Sequence, residues 1–228
     1  MASRKEQKQA LRAERLKREQ EAAAAERRRR LLGYGAAGVL GTAALVAIVV
    51  VIVSSGGSGD TGSKPTESGF PSGSIPDQVL AELEPAAKAA KCEVKRNLQI
   101  EGNSHVSDAV EYKTNPPTSG DHFEIPAEDG PYARAPRKET LVHSLEHGRI
   151  IIWFKPNASN DLKGKLKALF DEQPRHVILA PNETNMPYEV AASAWGNLLG
   201  CKKANDKSFD AIRAFRDELV DQGPEQVP

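Results

Sequence analysis

Twenty-three consecutive residues without a charge, Leu31 to Val53, divide this 228-residue chain and constrain its topology before anything else. As a helix the run is roughly 34 Å long, enough to cross a hydrocarbon core of about 30 Å, so a transmembrane helix is expected over 31–53. A cleaved signal peptide would have a shorter charged head, an apolar stretch of about 7 to 15 residues and a small-x-small cleavage site. The thirty residues before the run hold eleven Lys or Arg against five Glu and end in Arg27-Arg28-Arg29-Arg30. The positive-inside bias then predicts a single-pass cell-membrane protein with residues 1–30 in the cytoplasm and everything after Val53 outside. Leu11 and Leu16 give this tail no face to bury, so it reads as a solvated, partly helical segment drawn to anionic headgroups. Gly33, Ala37 and Gly41 recur at a spacing that lets two such helices approach, a spacing also common in membrane helices generally, and the oligomeric state stays open.

Residues 54–74 are dominated by Gly, Ser, Thr and Pro and are expected to form a flexible tether, leaving 75–228 as one extracytoplasmic domain. The whole chain balances 31 Lys and Arg against 31 Asp and Glu, so the basic tail leaves an acidic excess in residues 31–228. An acidic domain outside the membrane argues against nucleic acid as a partner. The membrane itself and another envelope protein are the partners that fit.

Within the domain, Val79, Leu80, Leu83 and Ala87 predict a helix from Pro76 to about Lys91, followed by strands over Glu93–Ile100 and Val106–Tyr112 joined at Gly102-Asn103. Asn115-Pro116-Pro117-Thr118-Ser119-Gly120-Asp121-His122 cannot be regular structure and reads as a rigid loop presenting His122. A helix over Lys138–His147 ends at Gly148, and Ile150-Ile151-Ile152-Trp153-Phe154 reads as a buried strand. Leu162, Leu166, Leu169 and Phe170 mark a further helix, 177–180 and 189–195 two more strands, and Phe209, Ile212, Phe215 and Leu219 a terminal helix. Without a regular βαβ rhythm, the pattern predicts an α+β domain with a mixed or antiparallel sheet of about five strands and helices on one side.

Cys92 and Cys201 are the only cysteines, and both fall on the outer side. An oxidising compartment favours a disulfide between them over two separate buried thiols or a thiolate metal site, neither of which has a C-x-x-C spacing to support it.

Three blocks carry the chemistry: the loop ending at His122, His143-Ser144-Leu145-Glu146-His147-Gly148, and Ala194-Trp195-Gly196 followed by Cys201. Together with Tyr132 they resemble, over about residues 76–205, a bacterial family common in actinobacteria. Its members are single-pass membrane proteins catalogued as a domain of unknown function. The resemblance implies an envelope protein with a cytoplasmic N-terminus and implies no activity.

On a helix His143 and His147 lie one turn apart and can share an ion, which needs a further donor from elsewhere. His122 is the expected third ligand, and Met186 in Asn185-Met186-Pro187 a fourth whose thioether would tilt the choice from zinc towards copper. Glu146 is placed behind the ligands, orienting an imidazole. The plainer alternative has the histidines bonded locally, Met186 filling core space and the domain acting as an envelope scaffold. His143-Ser144-Leu145-Glu146-His147 also matches the H-x-x-E-H pattern of inverted zinc peptidases. Those need a downstream acidic ligand, and Glu218 and Glu225 have no supporting motif, so non-catalytic metal binding is the expectation. His105 reads as an exposed strand-edge residue, His176 as a loop residue after Pro174, and Trp195 as a core anchor.

Overall fold

The computed structural model describes residues 64–66 and 68–225. The expected basic tail and transmembrane segment lie outside these residues, and among the described residues no helix is long and apolar enough to cross a membrane. The elements are α1 (Leu83–Ala90), β1 (Glu93–Lys95), β2 (Gly130–Pro131), α2 (Lys138–Glu146), β3 (Ile150–Phe154), α3 (Asn160–Glu172), β4 (Val177–Pro181), β5 (Val190–Ala194), β6 (Asn197–Cys201) and α4 (Asp206–Leu219).

The strands form one mixed six-stranded sheet in the order β1-β6-β5-β3-β4-β2, with helices packed on it in an α+β arrangement. β3 is its spine, parallel to β4 across the α3 crossover and antiparallel to β5. All five side chains of β3 are buried, and the period-2 alternation divides them between two apolar layers. Ile150, Ile152 and Phe154 join Leu83, Leu166, Leu169, Ile212 and Phe215 of α1, α3 and α4. Ile151 and Trp153 join Leu141 and Leu145 of α2, with Tyr132, Met186 and Tyr188. The expectation of helices on one side is therefore corrected: three helices cover one face and α2 the other, because a strand without a polar face needs cover on both.

The predicted helix from Pro76 starts instead at Leu83. Val79 is 84% exposed, and the N–H groups of Val79 and Leu80 donate to Asp210 Oδ2 on α4, both at 3.0 Å. Arg213 completes that anchor, bonding Asp210, Glu172 and the carbonyl of Pro76. A helix here would forfeit these partners, and Pro85 is tolerated where it falls, in the first turn. The predicted strand 93–100 shortens to β1, and 106–112 forms none. The Val110 N–H donates to the side chain of Glu139, the Val106 N–H pairs with the carbonyl of His122, and just beyond the segment the Lys113 N–H donates to Glu101.

The second half of the expected tether is packed against the domain. Phe70 stacks edge-on to Phe154 at 5.9 Å, and the Thr66 N–H donates to Pro131 O at 2.8 Å. Gly73 lies so close to Gly164 that a Cβ on it would come 2.3 Å from the Gly164 carbonyl carbon. Cys92 and Cys201 form a disulfide across 109 residues of sequence, joining the end of α1 to β6.

Candidate metal centre

α2 carries His143 near its end and His147 at its C-cap, and Gly148 follows at φ 78°, the left-handed residue the sequence predicts. The helical spacing sets the two rings face to edge with Nε2···Nε2 at 2.9 Å. His143 Nδ1 lies 2.6 Å from the carbonyl of Phe123. A carbonyl only accepts, so Nδ1 carries the proton and Nε2 keeps its lone pair.

His122 reaches the same point from the other side. Its loop contains the cis Asn115–Pro116 peptide and is held by the carboxylate of Glu101, which accepts from the N–H groups of Lys113 and Thr114. His122 Nδ1 donates to Gly120 O at 2.9 Å, so in the neutral imidazole Nε2 holds the lone pair. That atom is fully buried, has no hydrogen-bond partner, and lies 3.0 Å from Glu146 Oε2. Trp195, in the turn between β5 and β6, stands edge-on to the His122 ring at 6.3 Å. The turn is held there by Gly196 N–H donating to Thr118 O, so Trp195, half-buried against the apolar layer that holds Trp153, also walls the centre.

His105, an exposed edge residue by sequence, is exposed and pairs with His122 in an isolated bridge. Its ring nevertheless turns inward, 5.0 Å from the ring of His122 and 4.9 Å from that of His143. One ligand atom from each of His105, His122, His143 and Glu146 falls within 4.8 Å of all the others. A second such group shares His143 and adds His147 and Glu225, whose Oε2 lies 3.3 Å from His147 Nε2. His147 thus faces His143 and Glu225, while His122 faces Glu146 and His105. Met186 is fully buried in the apolar layer with Leu141, Trp153 and Tyr188.

The electrostatics favour neutral His143 and His147. Burial pushes His143 down to about 4 against the raising effect of the Phe123 carbonyl, and the neighbouring imidazoles lower it further. Burial also lowers His147, aided by Arg149, and raises Glu146 against the opposing influence of His122. Neutral imidazole is the form that binds a metal. Ligand atoms on a tetrahedral ion at 2.0–2.1 Å stand about 3.4 Å apart, against an observed spread within 4.8 Å.

Sequence reasoning missed His105 as a donor and set Glu225 aside. Nothing local marks either one, since each is brought in by backbone bonds to a distant segment: Val106 N–H to His122 O and Glu225 N–H to Glu146 O. His176, a plain loop residue by sequence, is likewise tied to a distant partner. It is buried and bonded through Nδ1 to Asp221.

Residues 105–227 match a family described as a protein of unknown function, DUF3105. No curated protein and no solved structure matches the chain.

Proposed function

The chain belongs to the DUF3105 family, and we propose that it is a membrane-anchored envelope protein holding one divalent transition-metal ion between His105, His122, His143 and Glu146. The observation that carries this is the pair His122 Nε2 and Glu146 Oε2. Two acceptor atoms on buried side chains face each other at 3.0 Å, and the imidazole nitrogen has no donor. Unsatisfied buried acceptors are costly, and a cation between them removes the cost. Three nitrogens and one carboxylate oxygen, with no sulfur, suit zinc(II) or copper(II) better than copper(I), which prefers soft ligands.

A structural reading competes with it: a proton shared between His122 and Glu146, favoured by the burial that raises the carboxyl pKa of Glu146. Metal analysis by mass spectrometry separates the two. The full-length chain, purified in detergent without a His tag, is expected to carry one zinc or copper ion, and the His122→Ala and Glu146→Gln variants none. A metal-free wild type that takes up neither ion at micromolar concentration leaves the shared proton as the explanation and the domain as a scaffold.

The location is supported by the uncharged run 31–53, the basic residues before it and the disulfide, which belongs in an oxidising compartment. The acidic ligand demanded by the H-x-x-E-H pattern is present as Glu225, beside His147. However, Glu146, the residue that would activate water, is buried against His122, and this supports holding an ion over hydrolysis.

A further inference from the structure

Resting on the metal reading above, we infer that the centre has a second, outer position for the same divalent ion, formed by His143, His147 and Glu225. It is filled in alternation with the inner position and is the route by which the ion enters and leaves. His143 forces the alternation. Its Nδ1 is bonded to Phe123 O, so one lone pair, on Nε2, serves both ligand groups. That lone pair binds a single ion at a time, and the two groups cannot both use it.

Exposure sets the direction. The His122 side chain is 0% exposed and that of Glu146 4%, whereas His147 is 13% and Glu225 53% exposed. Two imidazoles and a carboxylate also leave a tetrahedral ion one open corner, which ligand exchange requires. An ion held outside by Glu225, His147 and His143 moves inward when Glu146 and His122 replace Glu225 and His147 and His105 takes the open corner, while His143 stays bound. The step is a ligand substitution with no change in oxidation state.

The outer position is built by the chain beyond α4 being laid across the end of α2. Asp221 N–H donates to Gly148 O at 2.9 Å, and Glu225 N–H to Glu146 O at 3.1 Å. Gly223 fits where a Cβ would come 2.2 Å from Glu146 O, so the segment lies flat on the helix end. Pro224 then fixes the backbone just before Glu225.

The test is rapid mixing of the metal-free full-length chain in detergent with cobalt(II), whose visible absorption reports its ligands. Wild type is expected to load in two spectral phases and to finish with one ion per chain. His147→Ala and Glu225→Gln are expected to lose the first phase and to load, and to release to a chelator, roughly tenfold more slowly. His122→Ala is expected to keep the first phase and lose the second. Glu225→Gln replaces an exposed side chain, so its result does not depend on whether the histidine variants fold. Two ions bound at once, loss of both phases in His122→Ala, or unchanged rates in Glu225→Gln, as entry past His105 would give, would each overturn the outer position and leave the inner site standing. A wild type that takes up no cobalt overturns the metal reading itself, and the outer position with it.

Discussion

Asp221 bonds the ring of His176 through its carboxylate, and that contact holds the turn from which Glu225 reaches His147. The second carboxylate oxygen takes Arg175 Nη1 at 2.9 Å, and the Asp221 backbone sits at φ 63°. An aspartate tolerates this left-handed position better than most residues.

Hydrogen bonding from His176, and then Arg175, holds the Asp221 carboxyl below its ordinary value. A depressed acid contributes stability that is complete above its unfolded pKa and is lost as pH falls through the folded one. Asp221→Asn should therefore cost stability at neutral pH, and the difference from wild type should close below the ordinary carboxylate range, about pH 4. Because the side chain is 41% exposed, solvent screening limits the neutral-pH effect to about 0.5–1 kcal/mol. Urea denaturation at pH 7 and pH 3 measures it; an equal difference at both would refute the ionic origin.

The Cys92–Cys201 bond closes most of the domain into one loop. Replacing both cysteines by Ala should lower stability by about 2–4 kcal/mol, read from the denaturation midpoint. Alkylation before reduction should leave both thiols unlabelled in freshly isolated membranes.

Metal binding to the folded state alone should raise stability in proportion to occupancy. Zinc at one hundred times its Kd should add about 2.7 kcal/mol, reversed by a chelator. His122→Ala and Glu146→Gln should lose that increment. A gain that survives in both variants would assign it to ions elsewhere on the surface.

Protease added to intact protoplasts should degrade the disulfide-bonded domain and spare residues 1–30. The reverse pattern would place the domain in the cytoplasm and remove the compartment argument for the disulfide.

Legible in the sequence is whatever short-range chemistry decides. Ile150–Phe154 is apolar at every position and forms the central strand. His143 and His147 meet because helical spacing requires it, and Gly148 takes the positive φ that ends the helix. Where a distant partner decides, the sequence misleads. Val79 and Leu80 look like helix residues until Asp210, 131 and 130 positions away, takes their N–H groups. The alternation over Val106–Tyr112 suggests a strand, yet Val110 finds its acceptor in the side chain of Glu139 rather than in a neighbouring strand. His105 and Glu225 join the centre only through backbone pairing that no spacing encodes, and the Phe70 contact draws part of a Gly- and Ser-rich stretch onto the sheet.

The two ligand groups differ in how much of the chain must fold before they exist. His105, His122, His143 and Glu146 all precede β3, whereas Glu225 reaches His147 only after α3, β4, β5, β6 and α4 are in place and the segment beyond α4 has docked. Contacts between residues far apart in sequence form late, because the intervening loop must first be closed. The inner ligands thus come from one stretch of chain ahead of the central strand, while the outer group needs the segment beyond α4 docked on the end of α2.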